Sequence, residues 1–278
     1  MVAMVVGLAH GITGQLTTGI NMALQNKKSL GQHWLKDRDI LNELADEAMI
    51  TTDDPDDVQP LCLEIGPGLG TLTSSLLKRF KKVLAIEYDA KLAQNLPKSF
   101  PGKDLKVENA DFLQYDLSKI KEPYVVAGNI PYYITTPIIE KLIKAENKPL
   151  QIMILIQKEV ADRITAGPGK KSLLTLEIEN LAIAIPGVFV HKNYFTPPPK
   201  VDSASVILIP RDEPQVSEDV MKMVRQGFSN PRKKLSHNLP YDKTKLEQAM
   251  QKLNISENAR PAELSLADYE KLYLSLAK

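Results

Sequence analysis

Leu61-Cys62-Leu63-Glu64-Ile65-Gly66-Pro67-Gly68-Leu69-Gly70-Thr71-Leu72-Thr73 decides the fold of this chain. Leu61 to Ile65 is an apolar run of strand length, too short for a helix. It enters a glycine-rich turn, and a helical stretch follows to Phe80. A turn of this kind between strand and helix lets the backbone come close to a ligand. The next apolar run, Val83-Leu84-Ala85-Ile86, ends at Glu87. An acidic residue about 20 residues beyond such a turn can accept hydrogen bonds from both hydroxyls of a ribose.

The glycines are spaced G-x-G-x-G, and Thr71 stands where a dinucleotide fingerprint wants Gly or Ala. S-adenosylmethionine has no pyrophosphate to cradle. The spacing therefore points to it rather than to a nicotinamide dinucleotide. A third strand, Leu105 to Glu108, leads to Ala110-Asp111-Phe112. Asp111 is placed to bond an adenine amino group, with Phe112 beside the ring; the plain alternative is a solvated loop carboxylate.

The rhythm continues with strands near Val125 and Ile152, separated by helical stretches. Alternation of this kind predicts a doubly wound, Rossmann-like α/β sheet. Thr136-Pro137 reads as a cap and first turn for a helix through Lys144. Val206 to Ile209 reads as a last strand that closes the sheet. Pro210 to Pro214 reads as a linker into a small helical C-terminal domain. There, Asn230-Pro231 resembles a helix start and Ser265-Leu266-Ala267-Asp268 a capping box. The expected division is an extension over 1–26, a Rossmann-like domain over 27–210 and a helical domain over 211–278.

Asn129-Ile130-Pro131-Tyr132 follows the apolar run Tyr124 to Ala127. An Asn-x-Pro-Tyr turn at a strand's carboxyl end suits methylation of an exocyclic amino group on a planar ring. That amine is a poor nucleophile, because its lone pair is delocalised into the ring. Acceptors on its hydrogens would draw the nitrogen toward sp3 and localise the pair. The Asn129 side-chain oxygen and the Ile130 carbonyl can be those acceptors. Pro131 stiffens the turn. Tyr132 offers a ring face for a base.

Further blocks stand around these: Lys28-Ser29-Leu30-Gly31-Gln32-His33-Trp34-Leu35, Gln157-Lys158-Glu159-Val160-Ala161-Asp162-Arg163 and Phe195-Thr196-Pro197-Pro198-Pro199-Lys200-Val201-Asp202-Ser203. Together, and in this order, the blocks resemble the ribosomal RNA adenine N6-dimethyltransferases. They are most similar to the KsgA/RsmA branch, which modifies two adjacent adenosines of small-subunit ribosomal RNA during ribosome biogenesis. The resemblance runs from about Lys27 to the C-terminus. It implies S-adenosyl-L-methionine as cofactor, held by His33, Leu35, Gly66, Gly68, Glu87, Asp111 and Asn129. It also implies Asn129, Ile130, Pro131 and Tyr132 at the target base, with Phe195 covering the base's other face. The plain alternative for Phe195 is core packing. The implied partner is ribosomal RNA in the small subunit, met by a monomer in the cytoplasm.

The loop Gly167-Pro168-Gly169-Lys170-Lys171-Ser172-Leu173-Leu174 lacks the Tyr-Gly usual in that branch. It looks more like the Lys-Arg-Ser-Leu of the Erm branch, which methylates a large-subunit adenosine and gives macrolide resistance. Other rivals are a DNA adenine methyltransferase and a non-catalytic ribosome-assembly or transcription factor on this fold. The first usually carries a DNA-reading domain, and the intact Gly66 turn, Glu87 and Asn129 argue against the second.

Among 278 residues, 43% are hydrophobic and the net charge is +1, so any nucleic-acid contact must come from local patches. Candidates are Lys27-Lys28, Lys78-Arg79 with Lys81-Lys82, Lys170-Lys171 and Arg232-Lys233-Lys234; the acidic loop Asp53 to Asp57 reads as a solvated face. The single cysteine excludes an internal disulfide and fits a reducing compartment. The four His are scattered, and no metal-ligand spacing is present. No apolar run approaches the length needed to span a membrane. Met1 to Gln25 contains no charged residue and lacks the basic start of a secretory signal.

Overall fold

In a computed structural model of the chain, the structure describes residues 33–51 and 59–277. The expected extension over 1–26, the Lys27-Lys28 pair and the acidic loop Asp53 to Asp57 lie outside the described residues. The chain enters through β1 (Trp34–Leu35) and α1 (Arg38–Glu47). Asp37 caps α1, its side chain accepting from the amides of Asp39 and Ile40.

β2 (Leu61–Ile65), β3 (Val83–Glu87), β4 (Leu105–Asn109), β5 (Tyr124–Asn129) and β6 (Ile152–Gln157) run parallel. The crossovers carry α2 (Thr71–Leu76), α3 (Ala90–Asn95) and α4 (Thr135–Ile143). Then come α5 (Lys158–Ile164), α6 (Leu173–Leu181), β7 (Ala182–Val190), β8 (Phe195–Thr196) and β9 (Ser203–Pro210). The seven-stranded sheet has the order β4-β3-β2-β5-β6-β9-β7. Strand order reverses between β2 and β5, and in open α/β sheets ligands bind outside the carboxyl ends at such a point.

Strand side chains alternate between the faces. Leu63, Ile86, Val126, Ile154 and Leu208 pack on one face against Ile138, Ile139 and Leu142 of α4, Ile164 of α5 and Ile178 of α6. Cys62, Val83, Val125 and Met153 pack on the other against Leu41 and Leu44 of α1 and Leu72 and Leu76 of α2. Burying one such side chain contributes about 1.5–3 kcal/mol. The helices are held by this burial more than by propensity, since α2 and α3 are too short to stand alone.

The expected closing strand is present as β9, antiparallel to β6, but it is not the edge. β7 pairs beyond it, also antiparallel to β9. Pro186 and Gly187 disguise β7 in the sequence. Pro is tolerated where a strand has no outer neighbour, and Gly marks a bulge. The register does shift between Pro186 and Phe189. Glu47 of α1 fills the bulge, accepting from the Val188 amide at 2.8 Å and the Ser205 hydroxyl at 2.5 Å.

After residues 211–217, α7 (Glu218–Gly227), α8 (Lys243–Lys252) and α9 (Leu266–Leu276) pack around Val220, Val224, Leu246, Tyr269 and Leu272. Leu176 of α6 joins this cluster. The Ser265–Asp268 capping box is formed at α9. Asn230-Pro231 does not start a helix. It lies in a turn, because Lys233 N–H returns to the Asn230 carbonyl and Asn238 Nδ2 donates to the carbonyls of Gly227 and Asn230. α4 begins at Thr135 with Ile134 as its cap, two residues earlier than a Thr136 cap places it, after a 3-10 turn over Tyr132–Ile134.

Candidate active site

Strand ends β2, β3, β4 and β5 open onto one cleft of about 370 Å³. Its wall is built from the glycine turn. Gly66, Gly68 and Gly70 have φ of +64°, +56° and +79°. At Gly70 a Cβ would stand 2.5 Å from Leu96 Cδ1 and 2.9 Å from Phe100 Cε2. Only glycine meets both demands there.

Glu87 is 4% exposed and lines the cleft. Its Oε2 accepts from the Gly68 amide at 3.0 Å and its Oε1 from the Asp89 amide at 2.8 Å. The acid and the glycine turn are thus one hydrogen-bonded unit. Burial raises the Glu87 pKa, and these backbone donors oppose the rise. Each carboxylate oxygen retains a lone pair for a ribose hydroxyl.

Asp111 and Phe112 stand at the end of β4 and also line the cleft. Asp111 is exposed, and its Oδ1 accepts from the Leu113 amide at 2.9 Å, leaving Oδ2 for a ligand. Across the cleft, Asn129 ends β5, where its Nδ2 donates to the His33 carbonyl at 3.1 Å. That bond orients the amide so that Oδ1 is its remaining acceptor. His33 is anchored in turn. Its Nδ1 lies 2.8 Å from the Pro197 carbonyl, which can only accept, so the ring proton sits on Nδ1. The His33 ring stacks on Tyr132 with centroids 6.1 Å apart and planes 20° apart. Tyr132 Oη lies 2.8 Å from Ser203 Oγ. Ile130 is 2% exposed, so its side chain anchors the turn in the core.

The short ribbon between β1 and β8 explains how distant blocks meet. Trp34 pairs with Thr196 and Leu35 with Phe195, antiparallel. It also corrects one expectation and narrows another. Phe195 is 3% exposed, packs in the core with Leu35 and does not line the cleft. The core-packing alternative describes it, because the strand that carries it pairs with β1 and turns the ring inward. Leu35 is fully buried, so only its backbone is available to a ligand.

The predicted RNA contacts also divide. Lys171 is tied to Glu179 at 2.7 Å with its side chain 12% exposed, and it is not a free cation. Lys170 is exposed, as are Arg232, Lys233 and Lys234. Among the described residues, none of these last four forms an ion pair.

Sequence reasoning missed several cleft residues. Trp34 lies against the glycine turn, 3.4 Å from where a Gly68 Cβ would stand. Tyr88 and Tyr133 rim the cleft and are 65% and 66% exposed. Glu64 is 1% exposed, lines the cleft, and its Oε2 has no hydrogen-bond partner. Burial pushes its carboxyl up to about 8. Thr73 lies close and opposes that rise, yet Thr73 Oγ1 also completes no well-formed hydrogen bond. The signal for Glu64 was legible: an ionisable residue in the middle of an apolar strand.

Among the described residues, the carboxylates of Glu87 and Asp111 line the cleft beside the protonated Glu64, and no Lys or Arg does. Such a lining repels a pyrophosphate and suits a ligand with positive charge. Among the same residues, no group of three or more His, Cys, Asp or Glu could hold a metal ion.

A family model described as ribosomal RNA adenine dimethylase matches residues 23–278. The chain belongs to this family. Among relatives of the dimethylase, the ribosomal RNA small subunit methyltransferase A of Mycoplasmopsis synoviae is 38% identical over 258 residues, covering 90% of this chain and 96% of that one. The protein of the same name from Fusobacterium nucleatum is 38% identical over 265 residues, covering 90% and 97%. Two solved structures share the dimethylase fold at a TM-score of 0.73. One is the 23S rRNA methyltransferase ErmE, 29% identical over 88% of this chain and 100% of that one. The other is a dimethyladenosine transferase from Plasmodium falciparum, 27% identical over 88% and 98%. No helix among the described residues is long and apolar enough to cross a membrane.

Proposed function

We propose that this dimethylase uses S-adenosyl-L-methionine to methylate N6 of two adjacent adenosines in small-subunit ribosomal RNA, giving N6,N6-dimethyladenosine. One observation carries the reading. The Asn129–Tyr132 turn and the Glu87–glycine unit face the same cleft, so an amine acceptor and a nucleoside-binding acid converge. The residues fit the cofactor. Glu87 offers its lone pairs to the ribose, Asp111 Oδ2 to the adenine amino group, and an acid-lined cleft accepts a cation.

When bound, S-adenosylmethionine supplies a methyl group already activated on a sulfonium. The chain's own work is then positioning and lone-pair localisation. Asn129 Oδ1 accepts one hydrogen of the target amine, and the Ile130 carbonyl the other. Tyr132 supports the base with its ring, braced by His33 and Ser203. The nitrogen pair forms the new N–C bond as the C–S bond breaks, and the extra proton leaves to water. The target must be unstacked, which is least costly in an RNA loop. The chain would act as a monomer on the subunit in the cytoplasm, with Arg232, Lys233 and Lys234 meeting phosphates.

The relatives named for the small subunit favour this target over the large-subunit one, although ErmE has the same fold. The test is to incubate the protein with labelled cofactor and either immature small subunits or naked large-subunit RNA, then map the methylated base. Dimethylated adjacent adenosines in the small subunit are expected. Methylation of a single large-subunit adenosine would replace the proposal with the Erm-type reading, and no transfer to either would favour a non-catalytic role.

A further inference from the structure

β4 is an edge of the sheet, so the turn after it has a strand neighbour on one side only. That turn carries Asp111 and Phe112 into the cleft. Its internal bonds are local: the Leu113 amide donates to Asp111 Oδ1 at 2.9 Å and the Gln114 amide to the Asp111 carbonyl at 3.0 Å. These shape the turn. Phe112 and Tyr115 seat it in the core, and the Ala110 amide donates to the Glu87 carbonyl at 3.0 Å. Lys141 adds the polar tie to α4. It lies on the second turn of α4, and its ammonium donates to the carbonyls of Leu113 at 2.9 Å and Tyr115 at 2.6 Å. The same ammonium stands 5.7 Å from the centre of the Phe112 ring.

This is unusual use of a lysine. An ammonium ordinarily stays hydrated, and two backbone carbonyls with a ring face replace much of that shell. Burial lowers the Lys141 pKa, while the charges of Asp111 and Asp116 act to raise it. The helix that carries it starts directly after the Asn129–Tyr132 turn. Its other inward residues, Ile138, Ile139 and Leu142, are fixed in the core. A rigid element therefore joins the turn that would hold the target amine to the turn that would hold the purine.

We infer that Lys141 is a positioning residue for purine recognition, holding the Asp111–Tyr115 turn so that Asp111 reads the 6-amino group of the adenosyl ligand. The inference rests on the cofactor reading above. It assigns to Lys141 selectivity between purines rather than chemistry on the methyl group.

The single tryptophan, Trp34, lines the cleft and gives a fluorescence signal for binding. The probes are S-adenosylhomocysteine and its analogue lacking the purine 6-amino group. The parent should prefer the former by about tenfold, the worth of a hydrogen bond to a charged acceptor. Asp111→Ala should remove that preference. Lys141→Met keeps the stem over Phe112 and deletes the ammonium. It should weaken S-adenosylhomocysteine about tenfold, leave the analogue within about threefold, and so erase the preference. At saturating cofactor its methyl-transfer rate should stay within about twofold of the parent, so the loss falls on KM. Lys141→Arg, which can still donate to both carbonyls, should recover much of the preference and serves if the Met variant does not fold. A folded Met variant that keeps the full preference, or an Arg variant that loses both ligands equally, overturns the role of Lys141. A parent with no preference, or one that Asp111→Ala leaves intact, overturns the Asp111 assignment itself.

Discussion

Glu64→Gln isolates the cost of a buried acid at the floor of the cleft. The carboxyl titrates near 4.5 in an open chain and is pushed to about 8 in the fold, mainly by burial. Between those values the folded protein keeps a proton that the unfolded chain has released. Stability therefore falls as pH rises through this window; the cost is absent below about 4.5 and complete above about 8. At pH 7 it amounts to about 3 kcal/mol, with a ceiling of about 5 kcal/mol at higher pH. Glutamine has nearly the same shape and never ionises. Its extra amide hydrogens cost a similar amount at every pH, so the informative quantity is the difference between pH profiles. The melting temperatures of parent and variant, each without ligand, should be compared from pH 5 to 8.5. The variant should gain on the parent as pH rises, at roughly 2–4 °C per kcal/mol for a chain of this size. S-adenosylmethionine should narrow the gap at pH 8, because a cation in the cleft favours the parent's carboxylate. Parallel profiles without ligand would refute the argument that Glu64 is held neutral.

Glu87→Ala should weaken S-adenosylmethionine by about 1–3 kcal/mol in calorimetry, since it removes the ribose acceptors and frees the Gly68 amide. Asn129→Ala should lower single-turnover methyl transfer by roughly two to three orders of magnitude with folding intact, as loss of one preorganised polar contact does. Phe195→Ala should cost about 3–5 kcal/mol in chemical denaturation, because the ring is core rather than base platform; a fall in RNA binding alone would restore the stacking role. Changing Arg232, Lys233 and Lys234 together to Ala should weaken RNA binding across sequences. It should also flatten its log–log salt slope by nearly one per lost phosphate contact, with cofactor binding unchanged.

Much of this protein is determined by local pattern. Leu61 to Ile65 can only be a buried strand, and Gly66, Gly68 and Gly70 are needed because the turn has positive φ. Glu87 and Asn129 each end a strand and Asp111 follows one by two residues, so period and turn chemistry alone place them at one edge of the sheet. What the pattern does not contain is partnership between distant residues. β7 is invisible locally because its Pro186 and Gly187 are acceptable only at an edge bulge that Glu47, far away in sequence, completes. Phe195 is inward because β8 pairs with β1, a contact that no periodicity in either short strand announces. Lys171 reads as a free cation until Glu179 is folded beside it. Lys141 reads as a helix-surface lysine until the end of an edge strand presents it with two carbonyls. Strands and turns follow from side-chain period and backbone sterics, which are local. Whether a charge is free, paired or clamped depends on what the fold brings within about 3 Å of it, and only tertiary structure sets that distance.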